Sequence, residues 1–290
     1  MTTVAAPPRR SGADRRRSLL WHASAILLLV VLLYPLAWLL LGTFKPTNRI
    51  IGDVNIWPEE FVGFENYASA LEGVAGIPVV RFFGNSLLLA IASVVGTVAS
   101  SALAAYAFAR LRFRGDKVLF GFMISTLLLP FHVLIIPQYI IFQRLELVDT
   151  YAPLLLPKFL ATEAFFVFLM VQFIRGLPRD LDEAATIDGC GHLRTFWHVI
   201  VPLMRPALIT SGLFAFIWSW NDFLAPLIYI TSPDKYPLPL ALQFFVDQTS
   251  TSDYGALVAL SLLALLPVVL FFLAFQRYLV EGVATQGLKG

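Results

Sequence analysis

Trp218-Ser219-Trp220-Asn221-Asp222 puts two indoles, an amide and a carboxylate within five residues. Indole faces stack on C–H surfaces, while amide and carboxylate oxygens accept from hydroxyls, so the run has the chemistry to hold a polyhydroxylated molecule. Asp222 is the only acid well inside a long apolar stretch. An acid at membrane depth faces a bundle interior or water, as part of a path or as a partner in helix–helix hydrogen bonding. Gln138 and Tyr139 are further candidates for such a path. His132, between Pro130 and Pro137, reads as a partner for carbonyls freed by a kink. Other chemistry is missing from the sequence. One cysteine, Cys190, allows no internal disulfide, and four histidines lack ligand spacing, so no metal site is expected. There is no G-x-x-x-x-G-K-[ST] phosphate loop, and no clustered His, Cys or paired carboxylates suggest a catalytic centre. Nothing in the charge distribution suggests a nucleic-acid partner.

The elements that must carry these residues are apolar. The chain has 290 residues, 58% hydrophobic and 14% charged, against about 25% charged in soluble domains. An all-α integral membrane protein is the class this composition implies, with the lipid bilayer as its surroundings. A crossing needs about 20 apolar residues. Six transmembrane helices are expected, at about 23–44, 82–109, 118–142, 157–174, 206–230 and 254–275. The fourth is the weakest, with Lys158 and Glu163 near its start. Kinks are expected at Pro35, Pro130 and Pro137. In the second span Gly96, Ser100 and Ala104 recur at helical spacing, favouring close helix contacts. Six crossings put residues 1–22, 110–117, 175–205 and 276–290 on one side, with 15 of the 21 Lys and Arg; the other side has 6. The positive-inside rule then makes both termini cytoplasmic. Residues 1–22, basic and Pro-rich, are expected to be a disordered tail, and 276–290 a second cytoplasmic tail.

One loop differs from a simple tether. In "EAATIDGCGHLRTFWHVIVP" (183–202), preceded by Asp180, the Asp180/Glu183 spacing suggests a capping box. A short helix from Leu181 to Asp188 would end at Gly189 in the left-handed region. Leu181, Ala184, Ala185 and Asp188 would share one small, flat face. A second helix, about Leu193 to Val201, would end at Pro202. Such an elbow suits insertion into a groove of another protein, or a hairpin lying on the membrane surface.

Glu183-Ala184-Ala185, then Gly189, then Val199-Ile200-Val201-Pro202 resembles the "EAA" signature of permease subunits of binding-protein-dependent ABC importers, with Val199 and Val201 in place of Ile and Leu. "FENYASAL" (64–71), "RFFGNSLLLA" (81–90), "LPFHVLIIPQYI" (129–140), "WNDFLAPLIYIT" (220–231) and "YPLPLALQFF" (236–245) are similar to the carbohydrate-uptake branch, especially its six-span, maltose-type second permease. The family usually ends GAVKG where this chain has Gln286-Gly287-Leu288-Lys289-Gly290, and the resemblance implies a tail contact by Gln286, Gly287, Leu288 and Lys289.

The resemblance implies a type I importer permease fold whose elbow is a cytoplasmic coupling helix. Asp182, Glu183, Ala184, Ala185, Asp188, Gly189 and Pro202 would engage an ATPase subunit. Two ATPase subunits would use ATP and Mg, no cofactor being bound by this chain. A second permease would complete a heterodimer, and an extracytoplasmic solute-binding protein would deliver a sugar or sugar-like solute at a bacterial cell membrane. Relatives with different solutes share a similar W-N-D stretch, which favours a structural role for Asp222. The alternatives are an ion-coupled secondary transporter, which would need more intramembrane ionisable groups, and an ABC importer permease for a non-sugar solute.

Overall fold

A computed structural model describes residues 12–246 and 253–287. They form two units, which among the described residues are 12–70 with 253–262, and 71–246 with 263–287. In chain order the main helices are α1 (Gly12–Gly42), α2 (Glu65–Glu72), α3 (Val79–Arg110), α4 (Asp116–Thr126), α5 (Phe131–Arg144), α6 (Ala152–Phe159) and α7 (Ala164–Arg175). They continue with α8 (Asp180–Ile187), α9 (His192–Thr195), α10 (Val201–Leu203), α11 (Arg205–Trp220), α12 (Leu224–Tyr229), α13 (Leu238–Ala241) and α14 (Tyr254–Gly287).

Four stretches among the described residues are long and apolar enough to cross a membrane: Arg16–Gly42, Val79–Arg110, Ala152–Arg175 and Tyr254–Arg277. A fifth is the pair His192–Leu203 and Arg205–Trp220, bent by 78°. The stretch expected as one span at 118–142 is instead two helices, α4 and α5, broken at 127–130. Pro130 is the cause: it donates no hydrogen bond and pushes the residue before it out of the helical region. Pro137, by contrast, lies inside α5. The expected span 206–230 is also broken, at Asn221–Phe223 between α11 and α12. The weak span begins earlier than expected, at Ala152, and bends where Ala161 takes a φ of 54°. Lys158 and Glu163 sit within it, while Asp222, expected inside a span, falls in the break after Trp220.

Residues 12–22 belong to α1, a correction to the disordered tail; residues 1–11 lie outside the described residues. Likewise 276–287 continue α14 as helix. Gln286 and Gly287 fall in its last turn, while Leu288 and Lys289 lie outside the described residues.

In the first unit, Asn66 is the hub of the "FENYASAL" stretch. Its amide donates to Thr43 O at 2.7 Å and Lys45 O at 2.8 Å. Tyr67 donates to Thr43 Oγ1, and the buried Lys45 ammonium pairs with Asp53 at 2.9 Å. A Cβ on Gly255 would stand 2.0 Å from Asn66 Oδ1, so only glycine fits beside the hub.

In the second unit, α3 is the central strut, packed on α6, α7 and α11. Its small residues permit this. A Cβ on Gly96 would meet the Phe159 ring at 2.7 Å, and Ser100 Oγ donates to Lys158 O at 2.7 Å. Close backbone approach of this kind lets dispersion and hydrogen bonding, and not hydrophobicity, hold helices together in lipid.

Candidate functional site

The elbow grows from the end of α7. Helix α8 begins after Arg179, whose backbone is already helical, with φ −73° and ψ −22°. The capping box is therefore not formed: Asp182 N and Glu183 N bond Arg179 O, and no side chain caps the end. Asp180, Asp182 and Glu183 still crowd the first turn, where carboxylates favour the positive end of the helix dipole. Gly189 has φ +78° with open space around it, and Cys190 N returns to Ala185 O. The left-handed stop expected at Gly189 is present.

The second arm does not end at Pro202. It runs from His192 through a π turn at Phe196–Ile200 and on to Leu203. Pro202 lacks an N–H, and its ring needs room at the carbonyl four residues back; a widened turn, with Val201 N bonding Phe196 O, supplies it. Pro202 is exposed just before the sharp corner at Met204.

The elbow is seated by its inner face. Phe196 and Ile200 are buried with Ala102, Ala105, Tyr106 and Ile174, and the Phe196 ring lies 5.2 Å from that of Tyr106. Each such side chain contributes about 2 kcal/mol of burial. Ala185 is buried, 6% exposed, on a helix that packs on the second arm, which corrects its place on an outward docking face. Asp182 turns inward as well. Its Oδ2 stands 3.0 Å from Nε of Arg110, whose side chain is 5% exposed. These two atoms are an ion pair without a hydrogen-bonding alignment. Arg110 Nη2 donates to Leu177 O at 2.8 Å. Outward face Glu183, Ala184, Asp188 and Gly189, with Ile187 87% exposed and Leu193 and Trp197 also exposed. Sequence reasoning missed Arg110 and Tyr106. They lie on α3, and only the fold brings them under the loop.

The second candidate area is a cavity of about 220 Å³ between α3, α6, α11 and α12, lined by Ser93, Lys158, Trp218, Ser219 and Asp222 among others. Trp218 is 46% exposed and packs its other edges near Phe165 and Phe166. The Lys158 ammonium is bonded to Glu163, which accepts a 3.0 Å hydrogen bond from Thr97 through its other oxygen. Asp222 Oδ1 accepts from Ala225 N at 3.2 Å, fastening the start of α12. Its bond is thus to its own chain turn and not between helices. Trp220 and Asn221 do not join the cavity. Trp220 is 2% exposed, stacks on Phe216 and donates to Ala264 O at 3.1 Å. Asn221 bonds back to Ile217 O. Gln138 and Tyr139 sit on α5, apart from this lining, with the Tyr139 ring stacked on Tyr229 at 6.1 Å. Two wider grooves of about 540 Å³ are lined mainly by apolar side chains, as lipid contact would require.

An elbow seated inward and bare outward, on a strut that reaches a polar cavity, agrees with the comparisons with known proteins. The model of the binding-protein-dependent transport system inner membrane component family matches residues 96–285. The chain belongs to this family.

The arabinooligosaccharides transport system permease protein AraQ of Bacillus subtilis (strain 168) is 32% identical over 264 residues, covering 90% of this chain and 92% of the relative. The diacetylchitobiose uptake system permease protein NgcG of Streptomyces coelicolor is 32% identical over 259 residues, 89% and 84%. A crystal structure of a bacterial ABC transporter involved in alginate import shares the fold, with a TM-score of 0.80 at 22% identity, covering 94% of this chain and 99% of that one. The permease membership expected from 183–202 is borne out. As an inner membrane transport component, the chain is a multi-pass membrane protein.

Proposed function

We propose that this permease carries a sugar or sugar-like solute into the cell as one half of a heterodimer, driven by two ATPase subunits on its cytoplasmic side. The observation that carries the reading is the elbow: anchored on the bundle by Phe196, Ile200 and Asp182, it leaves Ala184, Ile187, Asp188 and Leu193 free to enter a groove. A hairpin resting on lipid would not need three carboxylates in its first turn. The relatives' names favour an oligosaccharide. The cavity at Trp218, Lys158 and Asp222 supports the same solute class, because a ring face, an ammonium and a carboxylate together match hydroxyls and C–H surfaces. ATP is hydrolysed with the help of Mg in the partner ATPases, the binding protein delivers the solute from outside, and both termini are cytoplasmic.

Purification of the tagged chain from its native membrane tests the reading. An ATPase and a second permease should come with it, and hydrolysis should rise when a sugar-loaded binding protein is added. Reporter fusions after Arg112 and Arg194 should read cytoplasmic, and after Glu60 and Asp149 external. A chain that purifies without an ATPase, or an external reading at Arg194, would sink the proposal.

A further inference from the structure

The elbow and the cavity lie at different levels of one helix. Arg110 closes α3, while Leu89 and Ser93 on the same helix line the cavity. From Ser93 to Arg110 an α-helix rises about 25 Å. The apolar seat under the elbow, where Phe196 and Ile200 pack with Ala102, Ala105, Tyr106 and Ile174, is non-directional and sets no fixed point by itself. Helix α8 packs chiefly on the second arm of the elbow, with Ala185 buried and Leu181 and Asp182 half-buried. Among the described residues the Asp182–Arg110 contact is the only ion pair or side-chain hydrogen bond from α8 to the rest of the bundle. Arg110 also holds Leu177 O, at the turn where α7 gives way to the elbow. One guanidinium therefore fixes both the root of the elbow and its first helix. A rigid planar fork suits that task, and a lysine, with one point of charge, does not reproduce it.

We propose that Arg110 is the positioning residue that joins the elbow to the cavity, so that displacement of α8 moves α3 and with it the Ser93 wall. The assignment rests on the permease reading above. Arg110 touches no solute and no nucleotide. It converts a swing of the elbow into movement of the strut, because separating the pair would leave the buried Arg110 guanidinium without its counter-charge, a cost that an apolar contact does not carry. The Asp182 carboxylate thereby acts inward, toward its own chain, and not toward an ATPase.

The test uses the complete transporter, with both permeases, the ATPase subunits and the binding protein loaded with its sugar, reconstituted in lipid. Basal and sugar-stimulated ATP hydrolysis are measured on Arg110→Gln, Arg110→Lys, Asp182→Asn and the Arg110→Gln/Asp182→Asn double variant. Arg112→Gln, an exposed neighbour, is the control. Arg110→Gln should keep its ATPase subunits and basal hydrolysis but lose about tenfold of the stimulation. Arg110→Lys should recover part of it. The double variant should be no worse than Arg110→Gln alone, since both changes cut one link. Stimulation within about twofold of the wild type in assembled Arg110→Gln would overturn the proposal. If that variant does not assemble, normal stimulation in both Arg110→Lys and Asp182→Asn overturns it instead. Equal loss of basal and stimulated hydrolysis would also overturn it, as the mark of a generally damaged protein. A wild-type complex without any sugar-stimulated hydrolysis would fail earlier and for another reason, by removing the permease reading itself.

Discussion

At its Asn85 end α3 meets a dense set of hydrogen bonds; at its Arg110 end it meets an apolar seat and one guanidinium, which pairs with Asp182 and bonds Leu177 O. Asn85 Nδ2 donates to Asp234 O and Tyr236 O at 2.9 and 3.0 Å, and Ser86 Oγ accepts from Leu238 N at 2.8 Å. Asp149 accepts from Thr231 N, Ser232 N, Ser232 Oγ and the Lys235 ammonium, and Tyr151 donates to Lys235 O. These bonds tie the loop 231–238 to α3 and to the loop before α6. The elbow end has a single buried cation, and its outer face is left bare. A many-bonded end keeps one geometry, because every bond restricts the others. An end held by packing and one charge pair can be displaced as a body. The contrast suits a helix that is fixed at one end and driven at the other.

Changes at four positions would break or sharpen the contrast. The largest effect is expected from Ala185→Glu. A carboxylate forced into the buried Ala185 position should cost about 3 kcal/mol or more and part α8 from the second arm, measured as rapid proteolysis within 176–204 while the rest of the chain stays intact. An intact, protease-resistant elbow would mean that Ala185 does not hold α8 to the second arm. Ile187→Asp, on the bare face, should leave stability unchanged and weaken ATPase association by about 2 kcal/mol, as for a truncated hot spot; quantitative co-purification decides. Undiminished association would move the docking face away from Ile187.

At the bonded end, Asp149→Ala should cost about 2 kcal/mol, the scale for hydrogen bonds to a charged group, read as a lowered melting temperature with ATPase association unaffected. The same end should respond to acid. Lys235, Ser232 and the backbone N–H groups hold the Asp149 carboxyl well below the usual carboxylate range. A depressed folded pKa gives stability that is fully present above the unfolded value, about 3.9, and is lost as pH falls through the folded value. The melting temperature should therefore drop below about pH 4 in the wild type, and less steeply in Asp149→Asn; parallel curves would refute the linkage. The smallest effect is expected at Gly189, where φ is +78° and a Cβ meets nothing within 4 Å. Gly189→Ala should cost only the backbone strain, about 1 kcal/mol, while Gly189→Val should cost more and redirect the second arm. A neutral Gly189→Val would show that the corner tolerates another path.

Some of this was legible residue by residue. Gly189 announced a left-handed stop, because little else tolerates positive φ after a short helix. Pro130 announced a kink, and the EAA spacing led to the family. What could not be read was orientation. Asp180 and Glu183 have the capping-box spacing, yet the helix starts a residue early because Arg179 is already helical. Ala184 and Ala185 are adjacent and chemically identical, but one is exposed and the other buried. Trp218 and Trp220 point apart, one to a cavity and one to Phe216 and Ala264 O.

The sequence by itself determined that the chain is a helical membrane protein, since apolar runs of this length can satisfy their backbone in lipid only as helices. It also determined where the elbow lies, because glycine, proline and a polar amphipathic stretch act locally on the backbone. Only the tertiary structure decided which way the elbow faces and what holds it. Arg110 and Asp182 are far apart in the chain, and no local pattern links them; in sequence Arg110 is one more basic residue closing a span. Their pairing exists because α3 and α7 pack closely enough, through small side chains, to bring the end of one helix under the loop that leaves the other.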